Sequence, residues 1–432
     1  MGKEGKCPMS LPLLHAGKSA PGLSAALDLR FALDKSLTAY RGPTPSFSRA
    51  STGTYFNSSG VLTSASINTP RFNHTFNGTS WVSRGLLVEE QRTNLILYSN
   101  LQSSWYSVNA TLAATTETTS PDGTNNSRKL TEDTTASTYH YAEILSGSPP
   151  VSAGVTYTAS CFVKANGRTK FYINSGTNRI NMITYFDLSN GTITSSSASS
   201  SSITNVGDGW YRCTATQTAS STGATSFQLV MADDSSNPVY TGDGIKGVFI
   251  FGYQVEQAAF ATSLIPTTSA SATRSADVCQ ITGGNFSSIW NGTEGSFAVE
   301  YDLPDSVQQD RGLINANDGT NSKYISLYGQ SASGKNAQVI VDSALQVLTY
   351  GSTISANTST KMAACWKLND FVLYSQGTQS TPDTSGAVPS GLTQLEIGKG
   401  YFGGDQIRSG HIARLRYFNK RLPNATLQQL ST

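Results

Sequence analysis

The chain has 432 residues, of which 38% are hydrophobic, 9% aromatic and only 13% charged, with a formal net charge of +2. That length is too great for one core and points to two or three domains. The near-neutral balance, with no basic stripe interleaved with aromatics, excludes an electrostatic case for nucleic acid. Abundant Ser, Thr, Asn and Gly beside the aromatics fit antiparallel sheet with a hydroxylated outer face rather than disorder. The start, Met1-Gly-Lys-Glu-Gly-Lys-Cys-Pro8, lacks the apolar core of a secretory signal, and no run is long enough to span a bilayer. Five scattered cysteines, Cys7, Cys161, Cys213, Cys279 and Cys365, have no CxxC spacing. Buried free thiols and folding in a reducing cytoplasm are therefore expected.

Residues 1–45 are Gly/Pro-punctuated and then apolar in Leu23-Ser-Ala-Ala-Leu-Asp-Leu-Arg-Phe-Ala-Leu33, whose spacing allows a short helix or a strand. Too short for a core of its own, this segment reads as an anchor that packs on something else. Residues 46–98 read as a junction domain of short strands, with turns at Asn57-Ser-Ser-Gly60 and Asn77-Gly78. It ends in Arg84-Gly-Leu-Leu-Val-Glu-Glu-Gln-Arg-Thr-Asn-Leu-Ile-Leu-Tyr98. Strand alternation sends Glu89 and Glu90 to opposite faces, so one of them meets protein and needs a partner. Arg84, Arg92 or an arginine of another subunit is the expected one. With Arg49, these residues form a candidate assembly junction.

Residues 99–266 contain many short alternating segments separated by turns, the pattern of a jelly roll or related sandwich. Thr156-Tyr-Thr-Ala-Ser-Cys-Phe-Val-Lys164 and Gly247-Val-Phe-Ile-Phe-Gly-Tyr-Gln-Val-Glu256 are the clearest strands, and the Ser-rich run 195–202 reads as an exposed loop. Residues 267–282 read as a Ser/Thr-rich linker. Residues 283–432 form a second sandwich, closed by Gly410-His-Ile-Ala-Arg-Leu-Arg-Tyr417 and a short helix after Pro423. The predicted class is all-β: an amino-terminal anchor with short strands, followed by two antiparallel, jelly-roll-like β-sandwiches.

The segments Phe47-Ser-Arg-Ala-Ser-Thr-Gly-Thr-Tyr-Phe56, Asn68-Thr-Pro-Arg-Phe72, Gly85-Leu-Leu-Val-Glu-Glu-Gln-Arg-Thr-Asn94, Val206-Gly-Asp-Gly-Trp-Tyr-Arg-Cys213 and Thr262-Ser-Leu-Ile-Pro-Thr-Thr268, with Tyr240-Thr-Gly-Asp-Gly244, Gln254-Val-Glu-Gln257 and the terminal 410–417 strand, resemble phage head spike fibre and tail-fibre-like virion structural proteins. The middle block is similar to carbohydrate-binding-module jelly rolls, and the last to concanavalin-A-like and laminin-G-like sandwiches. The resemblance implies a virion appendage, made in the host bacterial cytoplasm and commonly homotrimeric. Its N-terminal part would meet other virion proteins and its modules would point outward.

Sugar recognition needs flat aromatic faces beside amide or carboxylate hydrogen-bonders. Trp105, Tyr106, Tyr139 and Tyr141 are the candidates, with core or intersubunit packing as the alternative. Trp210 and Trp366 read as packing residues. Glu89-Glu90 fails as a catalytic pair because its members face opposite ways. His15, His74, His140 and His411 show no metal or triad spacing, and no GxSxG or P-loop occurs. Asp233-Asp234 in a Ser/Asn loop is as consistent with a structural Ca²⁺ as with no ion, and Asp243 reads as a turn residue. No cofactor is called for. The expectation is a non-enzymatic head or tail fibre that attaches to host surface glycan, with no nucleic-acid partner and no membrane insertion. A purely architectural capsid decoration or tail adaptor is the first alternative, and a glycan-degrading tailspike-type enzyme the second.

Overall fold

The computed structural model describes residues 24–103, 105–144, 148–176, 179–303, 311–330, 335–400 and 409–432. Most of the expected anchor, with Cys7 and His15, lies outside them. The described chain is almost entirely antiparallel β-structure, and no helix in it is long and apolar enough to cross a membrane.

The middle block folds as two six-stranded sheets. One contains the long strands Thr156–Asn166, Trp210–Thr218 and Gly247–Glu256; the other contains Trp105–Val108, Tyr141–Ile144, Lys170–Asn174, Thr184–Asp187 and Gln228–Ala232. Alternation drives Tyr157, Ala159, Cys161 and Val163 inward, against Phe171, Ile173, Leu229 and Met231 of the facing sheet. Each large apolar side chain buried this way contributes about 1.5–3 kcal/mol. Cys161 and Cys213 lie directly opposite each other as buried thiols, and Cys279 and Cys365 are buried thiols as well. The run expected as an exposed serine loop is partly an edge strand, Ser200–Asn205, because pairing with Trp210–Thr218 satisfies its backbone while its serines stay at the surface.

The second sandwich packs a seven-stranded sheet on an eight-stranded one. Its core holds Trp366, Phe297 and Tyr417, and Asn424–Leu430 is the terminal helix after Pro423. Segments from the start of the chain belong to these same sheets. Leu27–Leu29 pairs with Ser409–Phe418, Trp81–Glu89 pairs with the other end of that strand, and Ser46–Ser48 pairs with Val278–Thr282. The ambiguous 23–33 segment resolves as strand Leu27–Leu29 followed by helix Phe31–Asp34. Leu86 and Val88 bury into the core of this sandwich, so the early strands share one hydrophobic core with residues 278–432. Gly85 has φ +90°, and a Cβ there would sit 2.2 Å from the Ile412 carbonyl oxygen, so the close pairing with Ser409–Phe418 requires glycine. The middle sandwich is thus inserted between two stretches that fold together.

The presumed linker is not a spacer. Ala272–Arg274 pairs with Arg92–Asn94, Val278–Thr282 pairs with Gln394–Ile397, and Arg274 and Asp277 are buried. Composition misleads here because small polar residues suit a strand passing through a polar core as well as they suit a flexible tether.

Candidate functional site

The outer face of the sheet containing Tyr141–Ile144 carries two parallel rows of side chains. Because Trp105, Ala142, Ile144, Phe171, Ile173, Leu229 and Met231 point into the core, their strand neighbours point out. Cross-strand register aligns Tyr106, Glu143, Gln228 and Asn174 in one row. It aligns Val108, Tyr141, Val230, Tyr172 and Tyr185 in the next. The Tyr106 hydroxyl donates to Glu143 Oε2 at 2.7 Å, and Asn174 Nδ2 donates to Gln228 Oε1 at 2.7 Å. Tyr172 and Tyr185 stack with centroids 4.4 Å apart and planes 24° from parallel. The hydrogen bond to Glu143, followed by burial, pushes the Tyr106 phenol up to about 12. Burial and the Glu143 charge also raise Tyr141. Burial raises Tyr172 and Tyr185, and the adjacent Tyr139 phenol adds to both. All four groups therefore stay neutral hydrogen-bonding phenols at neutral pH. The face combines flat rings with a carboxylate and two amides, which is what recognition of a pyranose requires.

Of the four aromatic candidates, Tyr106 and Tyr141 lie on this face. Tyr139 is 46% exposed and sits just before the strand rather than in it, so its nearness to Tyr172 and Tyr185 comes from the approach to the strand and not from alternation. Trp105 does not belong to the face. Its strand position opposite Ile144 turns it into the core, where it packs edge-on against Tyr253 with centroids 5.0 Å apart. Tyr172, Tyr185, Glu143, Gln228 and Asn174 were missed, although the alternation in Lys-Phe-Tyr-Ile-Asn174 already placed Tyr172 opposite two core residues.

The assembly-junction residues separate into two groups. Glu89 is buried and Glu90 only partly so; Glu90 lies just past the end of the strand, in which Gly85 to Glu89 are all buried, so the difference comes from where the strand ends and not from alternation. The partners of Glu89 are Arg71, at 2.7 Å, and Arg274, at 3.2 Å, rather than Arg84 or Arg92. Ser263 adds two further bonds, from its backbone N–H to Oε1 and from its hydroxyl to Oε2, each 2.7 Å. Asp277 receives Arg71 and Arg49, and also the backbone N–H of Glu89 at 2.8 Å. Arg49 extends the cluster to the carbonyl oxygens of Ser51, Ala65 and Ser66. Burial alone would raise the Glu89 carboxyl, but the Arg274 and Arg71 charges with the Ser263 bonds outweigh it and hold it well below the usual carboxylate range. Arg84 instead donates to Thr75 Oγ1 at 2.6 Å and lies 3.7 Å from Asp302. Arg92 pairs with Glu90 nearer the surface and lies over the Phe260 ring. Arg84 and Arg92 miss Glu89 because their strand positions set them toward other neighbours, while Arg71 sits directly across from Leu87.

Elsewhere, His411 Nδ1 lies 2.6 Å from Asp302 Oδ1, an orientation used in hydrolytic dyads. Its Nε2, which would take a nucleophile's proton, instead accepts from Asn73 Nδ2 at 2.8 Å. Asp233 Oδ1 accepts from the backbone of Ser235 and Asn237, and Asp243 Oδ1 from that of Ile245 and Lys246, so both cap turns. Among the described residues no group of three or more His, Cys, Asp or Glu converges as metal ligands.

The fold and this face define an antiparallel β-sandwich protein with a tyrosine- and carboxylate-lined sheet surface. No family model matches the chain, nor does any curated protein. Among solved structures, the CBM40 of the Ruminococcus gnavus IT-sialidase bound to α2,3-sialyllactose aligns over 34% of this chain and 88% of its own, at 12% identity and a TM-score of 0.29. Domain 4 of AbnA, a GH43 extracellular arabinanase from Geobacillus stearothermophilus, in complex with arabinotriose, aligns over 36% of this chain and 73% of its own, at 14% identity and 0.30. The SAP-like pentraxin of Limulus polyphemus aligns over 32% and 70%, at 12% identity and 0.26. At such scores these likenesses add nothing to the reading of the face, which rests on its own residues.

Proposed function

We propose that the chain is a structural appendage of a phage particle, a head or tail fibre or spike, whose middle sandwich holds host surface glycan on its tyrosine face. The observation that carries the binding half is the paired rows: Tyr106, Glu143, Gln228 and Asn174 beside Tyr141, Tyr172 and Tyr185. The virion half is supported by the resemblance of the 47–56, 68–72, 85–94 and 262–268 segments. In this reading the N-terminal region docks on other virion proteins. A homotrimer multiplies shallow, individually weak sugar contacts into useful avidity. The protein acts by binding and carries out no reaction.

The test is adsorption of particles carrying Tyr141→Ala with Tyr185→Ala, alongside glycan-array binding by the purified chain. Loss of array signal and slower adsorption, with normal incorporation into particles, is the expected result. Unchanged adsorption and a blank array for the natural chain would leave the purely architectural alternative in its place.

A further inference from the structure

A second site lies away from the tyrosine face, where the other sheet of the middle sandwich meets the early strands. The cavity there is about 190 Å³, larger than the roughly 150 Å³ space that admits a benzene ring. One wall is aromatic. Phe56 lies 4.9 Å from Trp81 and 6.1 Å from Phe162, centroid to centroid. Trp81 is braced between Gly60 and Gly207, positions where a Cβ would come within 2.1 Å and 3.5 Å of its ring.

Beside Phe162, on the same sheet face, runs a ladder of hydroxyls. Register on the edge strand places Ser202 opposite Thr214 and Thr204 opposite Arg212, and the Ser202 and Thr214 hydroxyls lie 2.7 Å apart. Within this ladder stands Arg212. It donates to the Thr262 carbonyl and to Ser160 Oγ, its Nε is buried without a partner, and among the described residues no carboxylate comes within ion-pair distance of it. Glu89 also lines the cavity, but its oxygens are committed to Arg71, Arg274 and Ser263. His74, 4% exposed, directs Nδ1 at the Phe56 carbonyl oxygen, which leaves Nε2 as a buried acceptor without a partner. Arg212 is half-buried, and the carboxylates whose charges reach it, Glu256 and Glu89, are each committed to other donors, so an anionic ligand in the cavity would supply its first direct anionic partner.

We infer that this cavity binds one hydroxylated carboxylate of monosaccharide size, a uronic acid. Its carboxylate would meet Arg212, its hydroxyls the Ser202–Thr214 ladder and His74 Nε2, and its apolar ring face the aromatic wall. The inference does not depend on the tyrosine face.

The test is calorimetric titration of the full chain with sodium glucuronate, sodium galacturonate and, as the neutral control, glucose. Saturable binding of one uronate per chain, about 10-fold or more tighter than glucose, is expected, and Arg212→Gln should remove that preference, as loss of a charge-assisted pair implies. Tyr141→Ala should leave it intact, which separates this site from the other. If Arg212→Gln does not fold, Ser202→Ala serves in its place, with a weakening of about 3-fold expected for one neutral hydrogen bond. No saturation by either uronate, equal affinity for glucose, or affinity unchanged in the variant that folds would each overturn the inference.

Discussion

The tyrosine face draws its side chains from five neighbouring strands between Trp105 and Ala232, all within one sheet. The arginine–carboxylate cluster instead gathers Arg49, Arg71, Glu89, Ser263, Arg274 and Asp277 from segments more than two hundred positions apart. A surface array of the first kind follows from local alternation. Each position needs only its strand partner to be known. A buried cluster of the second kind depends on which distant strands pair, and no periodicity reports that. The two regions also differ in what they tolerate. The half-buried Tyr106, Tyr141 and Tyr185 can be removed at little cost to folding, Tyr172 alone of the four rings being buried, whereas each buried charge is held in place by the others.

The comparison can be broken most directly at Arg71. Arg71→Ala leaves Glu89 and Asp277 each short of a partner in a buried site and should cost about 3–5 kcal/mol, read as a lowered denaturant midpoint with an unchanged m-value. Arg92→Ala, by contrast, removes one pair with Glu90, whose side chains keep 17% and 14% of their surface exposed, and a stacking contact over Phe260, and about 1–2 kcal/mol is expected. Equal losses for the two would dissolve the distinction between cluster and rim. Tyr141→Ala with Tyr185→Ala should weaken glycan retention about 10-fold or more while costing about 1 kcal/mol of stability or less, since stacking supplies roughly 0.5–1.5 kcal/mol per contact. Trp105→Ala should do the reverse, destabilising by about 3–5 kcal/mol through the cavity it leaves and sparing the glycan-facing rows.

Acid provides the gentlest probe. The Glu89 carboxyl is depressed in the folded chain relative to its ordinary value of 4.5, so its stabilisation is whole above that value and is lost as the pH falls from there toward the lowered one. Unfolding free energy should therefore fall with pH below about 4.5 less steeply in Glu89→Gln than in the natural chain. Identical slopes would remove Glu89 from the acid response.

Much of the architecture was legible from turns and alternation. Asn57-Ser-Ser-Gly60, Asn77-Gly78 and Asn190-Gly191 each close a hairpin where the residues demand one. That one of Glu89 and Glu90 meets protein was expected, but the strand ends at Glu89 with five buried residues in a row, so alternation alone did not say which. What stayed hidden was sheet membership. Leu86 and Val88 advertise a buried strand but not whose core they enter, and Arg274 and Asp277 sit among serines that mask their burial. The resemblance to virion fibre segments had already gathered Arg49, Arg71, Glu89 and Ser263 without placing them together. Only the fold shows that these stretches meet at one cluster. Trp105 and Tyr106 illustrate the remaining ambiguity: adjacent aromatics take opposite faces, and the sequence does not say which is which until the partner strand is known.

The insertion of the middle sandwich also sets an order of events during synthesis. All strands of that sandwich leave the ribosome as one continuous stretch and can pair at once. Trp81–Glu89 can pair early with Arg71–Phe76 but must wait for Ser409–Phe418, its neighbour on the other side in the finished sheet, an interval on the order of tens of seconds at ordinary elongation rates. Until then Leu86 and Val88 have no core to enter, and Glu89 and Arg71 stand in water as ordinary exposed charges. The charges that the finished cluster locks together thus first serve as a solubilising edge on a nascent chain whose Ser409–Phe418 strand has yet to be made.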